Sequence, residues 1–540
     1  MIKFEDVSRR YQVEYNHLFN SKEDKEFKGF VFPSVTIFDF DKNGMVDIFF
    51  SGGDRNYLYL NLGEGTYREA SAEFGISCDQ DSSYLNSQAV LGDFNADGED
   101  DLYLATAGKH RLFFREKNKN KFREVTKKLG GYSSFSHGVN VIDFNRDGRL
   151  DIVVANFHEI GSEYREMKFT VRSDQIKNYG AHNDILIQDS SGNFEKTILN
   201  PRKTSTNAVG ISDINSDGFP DIFFANDYGP DELLMNVKGR TFVDSTRKNM
   251  LKNSSLFGGK NVEFADYNQD GLMDLFVTNA YIPPYQLGYN MLWKKIDAGM
   301  GFKLVSVDQN IGKSGLSWGS KVADFNLDGK LDVFVANGLA RDLRSEKIEN
   351  EKSTWFEKIE FGRIPIILRF NKKAFEPNPE LLYHRFGFER DALFIQGENE
   401  KFYDVALDIG LTDDSEGRGV ATADLNNDGH MDVVVTNFQG KSKTYLNKSL
   451  PSTSWIGFSL HSANGSLLPI GAKIILKQSN GPDLVKEFYP ANGFRSQSDP
   501  RLLFSLNRGS HFKNLQIEWP SKQVKIYSNA VEQKYNDLYE

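Results

Sequence analysis

The chain has 540 residues, 39% of them hydrophobic and 26% charged, a composition that allows a large buried core and argues against wholesale disorder. Its formal net charge of −10 argues against general nucleic-acid binding, because neutralising phosphates takes a basic surface. The single cysteine, Cys78, excludes an intramolecular disulfide framework and a cysteine-built zinc site, and no run of about 18 apolar residues is present to span a membrane.

The first 30 residues lack the apolar stretch of a secretory signal, so the chain reads as cytoplasmic as written, and as secreted or periplasmic where a leader has been removed. Phe4 opens FEDVS, a strand-like run standing alone before the first repeat. From Asp39 onward a nine-residue pattern, D-x-[DN]-x-[DN]-G-x-x-D, occurs seven times. Positions 1, 3, 5 and 9 carry side-chain oxygens. They are Asp39, Asp41, Asn43 and Asp47, then Asp93, Asn95, Asp97 and Asp101, then Asp143, Asn145, Asp147 and Asp151. The later copies supply Asp213, Asn215, Asp217 and Asp221, then Asp266, Asn268, Asp270 and Asp274. The last two supply Asp324, Asn326, Asp328 and Asp332, then Asp424, Asn426, Asp428 and Asp432.

Short apolar or β-rich runs flank every copy, such as HGVNVI before and IVVAN after, so each motif is expected at the tip of a hairpin. A third run follows (YLYLN, RLFFRE, DILIQ), then a fourth headed by an aromatic residue, as in YREAS at Tyr67 and FREVT at Phe122. Four strands per unit describe a propeller blade. Six aromatic-headed runs serve seven motifs, and FEDVS at the N-terminus supplies the missing one. The expectation is an all-β, seven-bladed propeller over residues 1–450, with strand 3–8 completing the last blade and leaving no sheet edge open. A solenoid of the same repeats would need caps and not a displaced strand.

Hard oxygen ligands at alternate positions, a backbone carbonyl at position 7 and a glycine at position 6 for the sharp turn suit calcium. Magnesium prefers fewer protein ligands and more water. An EF-hand would place a glutamate at its twelfth position between helices, whereas position 9 here already begins a strand. Seven calcium ions would carry the formal charge from −10 to about +4. An empty tip would crowd three like charges, so the ions are expected to be structural.

Residues 454–540 change pattern to runs such as WIGFSL, AKIILK and LQIEW between NGS, NGP and NRG turns, a small β domain without metal loops. At this point the sequence resembles a known family. The seven motifs are similar to FG-GAP (VCBS) repeats of the integrin α propellers. The end resembles an ASPIC/UnbV domain through Trp455, Ile470-Gly471-Ala472, Gly493-Phe494-Arg495-Ser496-Gln497 and Trp519-Pro520-Ser521. Together they resemble the cartilage acidic protein family. That resemblance implies a calcium-bound propeller with an appended β domain and leaves the activity open, since family-like propellers include adhesive proteins and biosynthetic aryl-alkylating cyclases.

A strand that ends at a metal tip begins at the opposite face, and the links between second and third strands lie there too. The long insertions, 157–183 in blade three and 338–390 in blade six, fall on that face, with a smaller one at 281–290. Counting six residues back from each first metal aspartate gives Pro33, Ser87, His137, Asn207, Lys260, Trp318 and Arg418. The metal positions repeat and this ring does not, as a ligand pocket at a channel mouth requires; solvated loop ends are the plainer reading. His137, Lys260 and Arg418, with Glu416, are the candidate acid/base or anion-binding groups, and Ser87, Asn207 and Trp318 the candidate ligand contacts. His158, Tyr164, His182, Tyr383 and His384 lie in the insertions, where surface roles are commoner. No P-loop, Rossmann fingerprint, HExxH or G-x-S-x-G is present. Two function classes remain: a calcium-stabilised protein binding a small molecule or a protein partner, and a biosynthetic enzyme of cyclase, isomerase or alkyl-transfer type. A blind or solvent-flooded channel favours binding; a closed, partly apolar pocket under the two insertions favours catalysis.

Overall fold

The structure, a computed structural model, describes residues 2–17, 32–78 apart from 54, 85–159, 180–246 apart from 201, 258–338 apart from 280, 283–285, 288, 298 and 300, and 389–540 apart from 439 and 452. Most of both long insertions, with Tyr164, Tyr383 and His384, lies outside the described residues. Among the described residues no helix is long and apolar enough to cross a membrane.

The protein is a β-propeller. Each metal motif joins two antiparallel strands, as Ser133–Ile142 and Asp151–His158 do around Asp143. Alternating side chains explain the packing: successive residues of these strands face the neighbouring blades on either side, and nearly all are buried. A third strand and a short aromatic-headed fourth complete each unit, and the described residues hold seven such four-stranded units. The first strand of each unit packs on the first strand of the next, and Gly417–Ala423 of the last packs on Ser34–Phe38 of the first. Blades two and three also share a ladder between Ser133–Phe135 and Ala107–Lys109.

The last unit takes its outer strand from the chain's start: Phe4–Asp6 pairs antiparallel with Lys443–Asn447, Phe4 opposite Asn447. Phe4 meets Phe325 edge-on at 6.1 Å, and Val7 is fully buried. Removing residues 1–8 strips this strand and leaves a paired edge bare. The expected result is a lower thermal midpoint and aggregation, read by scanning calorimetry and light scattering. Parent-like melting and solubility of the truncated chain would show that the ring holds without it.

The C-terminal part has its own two sheets. Trp455–His461 lies between Leu502–Ser505 and Tyr535–Tyr539, and Lys473–Gln478 lies between Leu484–Glu487 and Phe512–Glu518. Its core, including Ile456, Phe458 and Trp519, is continuous with that of blades one to three. It rests on the metal-loop face: Ser466 donates to Asp100 at 2.6 Å, Thr453 to the Leu327 carbonyl at 3.0 Å and Arg501 to Asn427 at 2.6 Å.

From there residues 492–499 run down the propeller's channel and touch the innermost strand of every blade. Ser496–Gln497 pairs in parallel with Val35–Thr36 of blade one, and Gln497 accepts from Leu91 N–H at 3.0 Å. Asn492 is bonded by Asn140 at 2.8 Å and Ile211 N–H at 2.8 Å, Phe494 N–H donates to Asn261, Lys321 donates to the Asn492 carbonyl, and Ser498 is met by Thr422 N–H at 3.1 Å. Gly493 has φ +120°, and a Cβ there would stand 2.7 Å from Lys321 Nζ and 2.8 Å from Glu263 Oε1, so this turn requires glycine. The segment that the sequence presents as part of an appended domain is the channel's plug.

Candidate metal loops and channel site

All seven loops share one backbone. The residue at position 4 is left-handed, with φ from 56° to 60°, and the glycine at position 6 has φ from 83° to 92°. The position-1 carboxylate is held by two loop amides, as Asp143 is by Asp147 N–H at 3.1 Å and Gly148 N–H at 2.9 Å. The position-9 aspartate ties the loop to the sheet. Asp47 accepts Phe40 N–H and, from the third strand, Asn61 N–H, both at 2.7 Å. Asp101, Asp151, Asp221, Asp274, Asp332 and Asp432 repeat the pair. Except for Asp332 Oδ2, which Asn326 N–H also meets at 3.3 Å, each of these oxygens retains a second lone pair for a cation. Burial first, and the neighbouring carboxylates after it, push Asp47 up to about 8 and Asp101 up to about 9.

These residues fit a hard divalent cation. In the first loop, carboxylate oxygens of Asp39, Asp41 and Asp47 lie within 4.8 Å of one another. The other six loops carry asparagine where the first has Asp41, an amide oxygen in place of a carboxylate. In the fifth loop Asn268 Oδ1 is buried with no hydrogen bond among the described residues. In two loops the position-1 carboxylate itself bonds to the C-terminal part: Asn464 donates to Asp93 at 2.6 Å and Tyr535 to Asp424 at 3.1 Å. In the seventh loop His430 further engages Asp428 at 2.8 Å.

At the other end of the channel the ring positions meet. In five blades a β-bulge falls there, at Ser87–Gln88, His137, Asn207, Trp318–Gly319 and Arg418–Gly419, and re-aims the side chain. Ser87 Oγ donates to the Ser136 carbonyl at 2.9 Å, His137 Nδ1 lies 3.0 Å from Asn207 Oδ1, and Asn207 donates to the Gly259 carbonyl at 2.9 Å. Lys260 pairs with Asp227 and stands 4.7 Å from the Trp318 ring; Arg418 Cζ stands 4.3 Å from it on its own account. Thr436 donates to the Pro33 carbonyl at 3.2 Å. The expectation that these are exposed positions is corrected: Ser87, His137, Asn207, Lys260, Trp318 and Arg418 are all buried, because Phe32, Phe438 and Phe494 pack among them.

Burial, with Arg495 and Lys260 adding repulsion, holds the His137 imidazole neutral, well below its usual range. Its ring stacks on Phe157 at 4.0 Å and its Nε2 has no hydrogen bond among the described residues. Burial also lowers Lys260, against the pull of Asp227, and takes Arg418 down to about 10 and Arg495 to about 9. Of the insertion histidines, His158 is buried and drawn down to about 4, and His182 bonds the Asn200 carbonyl at 3.0 Å. The residue that sequence reasoning missed is Arg495, supplied by the plug. Its signal was the GFRSQ stretch, a run without strand alternation inside an otherwise stranded domain.

Asp231, packed against Gly259 and bonded by Asn226 N–H at 2.9 Å, is raised by burial, with some help from Glu232, to about 7. The folded chain therefore disfavours its charged form: stability is full below the unfolded value, falls as pH rises, and levels off above about 7. That loss is on the order of 4 kcal/mol. Asp231→Asn removes the titration, so its melting temperature relative to the parent is expected to climb by about 3 °C between about pH 4 and pH 8. A pH-independent difference in calorimetry would refute the assignment.

Comparison with known proteins agrees with the geometry. Residues 39–104, 93–154, 213–277 and 378–435 match the FG-GAP-like repeat model, and residues 465–536 match the ASPIC and UnbV model. Cartilage acidic protein 1 of Mus musculus is 24% identical over 336 residues, 59% of this chain and 42% of that protein. A T-cell immunomodulatory protein homolog of Plasmodium falciparum (isolate 3D7) is 24% identical over 401 residues, 67% of this chain and 53% of that protein. The chain thus spans about half the length of these curated relatives. Among solved structures, an Agrocybe aegerita lectin described for recognition of non-reducing terminal N-acetylglucosamine aligns with 57% of this chain and 75% of its own at 17% identity. Its TM-score of 0.38 carries no argument.

Proposed function

Because the chain is an FG-GAP-like repeat protein with an ASPIC and UnbV domain, of the cartilage acidic protein family, we propose that it is a calcium-stabilised binding propeller whose ligand enters the channel mouth opposite the metal loops. Up to seven calcium ions serve the loops as structural ligands. Loops two and seven are expected to hold theirs most weakly, since Asp93 and Asp424 already accept protein donors. The observation that carries the reading is the gathering of six ring positions, different in every blade, into one buried cluster of cations and aromatic rings. The C-terminal domain supports it as well: it covers the loop face and fills the channel from that side, so the channel is blind and its other mouth is the one left to a ligand. A small molecule suits a blind mouth better than a protein partner does.

The enzyme alternative draws on one observation, a neutral His137 whose Nε2 has no hydrogen bond among the described residues, which makes it a base and not an acid. The deciding experiment incubates the calcium-loaded chain with a metabolite extract and identifies retained molecules by mass spectrometry. The parent is expected to retain species that Trp318→Phe and Arg418→Met lose, while Asp143→Ala retains them at a lowered melting temperature. Retention of the same species by both ring variants would remove the channel mouth as the site, and conversion of a retained species by the parent but not by His137→Gln would favour the enzyme.

A further inference from the structure

Arg418 and Arg495 are fully buried and share a peculiarity. Each uses Nη1 on backbone carbonyls: Arg418 on Gly417 at 2.7 Å and Gly338 at 3.3 Å, Arg495 on Phe32 at 3.2 Å. Each leaves Nε and Nη2 without a hydrogen bond among the described residues. Those two nitrogens form one edge of the guanidinium, whose parallel N–H groups match the two oxygens of a carboxylate. Both side chains flank one ring, with Cζ atoms 5.1 and 5.9 Å from the centre of Phe32. They come from the innermost strand of blade seven and from the plug, so the arrangement exists only when the C-terminal segment is seated.

The charges around them do not cancel. Lys260 has Asp227, and Arg418 has Glu416, whose Oε2 stands 3.6 Å from Nη2, beyond hydrogen-bond length. His137 is neutral. Arg495 has no acidic partner within 4.0 Å among the described residues, so among them the cluster keeps one positive charge out of water. A buried charge left in this state is costly unless something compensates it.

Resting on the reading of the channel mouth as the binding site, we propose that its ligand is a carboxylate with a flat apolar body, its oxygens taken by the open edges of Arg495 and Arg418 and its body by Phe32 and Trp318. One unbalanced charge calls for a monoanion, and the rings supply faces on which a flat body stacks.

The test uses the full, calcium-loaded chain in low-chloride buffer with three probes of one shape: benzoate, benzamide and phenyl phosphate. Binding is followed as the fluorescence change that Trp318→Phe abolishes. Benzoate is expected to bind at least tenfold tighter than either of the others and to raise the melting temperature. Arg495→Met should weaken benzoate at least tenfold while melting, without ligand, no lower than the parent. Arg495→Lys should recover part of the affinity, having the charge without the fork. The probe comparison in the parent stands even where a variant fails to fold. Benzamide or phenyl phosphate binding as tightly as benzoate overturns the carboxylate and leaves the channel site in place. No Trp318-dependent response to any of the three overturns both.

Discussion

Chelating calcium from the full chain is expected to lower its melting temperature by more than about 10 °C. A ligand present at a hundredfold over its dissociation constant stabilises by about 2.7 kcal/mol per site when it binds the folded chain alone. Summed over seven loops this approaches about 20 kcal/mol, and unfolding a chain of this size changes entropy by roughly 1 kcal/mol per degree. The structural reason for such linkage is that position-9 aspartates are buried among other carboxylates while also clamping the third strand through Asn61, Gln188 or Asn447. Without a cation their charge is relieved only by taking up protons, which is why burial and like charges raise Asp47 to about 8 and Asp221 to about 8. With a cation the same charge becomes attraction. Calorimetry with and without chelator, at several calcium concentrations, is the measurement. A melting curve indifferent to both would dismiss the metal reading of all seven loops.

Much of the fold was legible because its determinants are local. The spacing of Asp143, Asn145, Asp147 and Asp151 encodes a turn whose hydrogen bonds stay within nine residues, and strand alternation on either side encodes burial between blades. The candidate site was legible in position but not in environment. Counting back from the metal aspartates found His137, Lys260, Trp318 and Arg418, since each stands six residues before its loop, on an innermost strand or just ahead of one. Their burial was not readable, because it depends on Phe32, Phe438 and Phe494, contributed by chain segments up to hundreds of residues away and carrying no repeat. Nor was the plug. Nothing in NGFRSQSD marks it as channel-filling, since its partners Asn140, Asn261 and Lys321 occupy strand positions where the repeat elsewhere tolerates apolar residues.

Ending the chain at residue 450 is therefore expected to damage the propeller itself, whereas a domain merely strung behind it could be removed without effect. Truncation takes Asn492, Phe494 and Gln497 away from Asn140, Asn261 and Leu91, leaving polar groups that were buried and bonded without their partners. It also strips the Ile456, Phe458 and Trp519 side of the core shared with blades one to three. The shortened chain should melt well below the parent and aggregate. A point change separates the plug from the rest of the domain: Phe494 is fully buried among Phe32 and Trp318, so Phe494→Ala should cost about 3–5 kcal/mol, a fall of roughly 3–5 °C. Ile526→Ser, at a side chain 63% exposed in the same domain, should change stability by no more than about 0.5 kcal/mol. Equal melting temperatures for Phe494→Ala, Ile526→Ser and the parent would mean that the segment does not seat in the channel. They would also withdraw Arg495 from the site, because the one arginine of the inner strands, Arg418, already holds its own place beside Trp318.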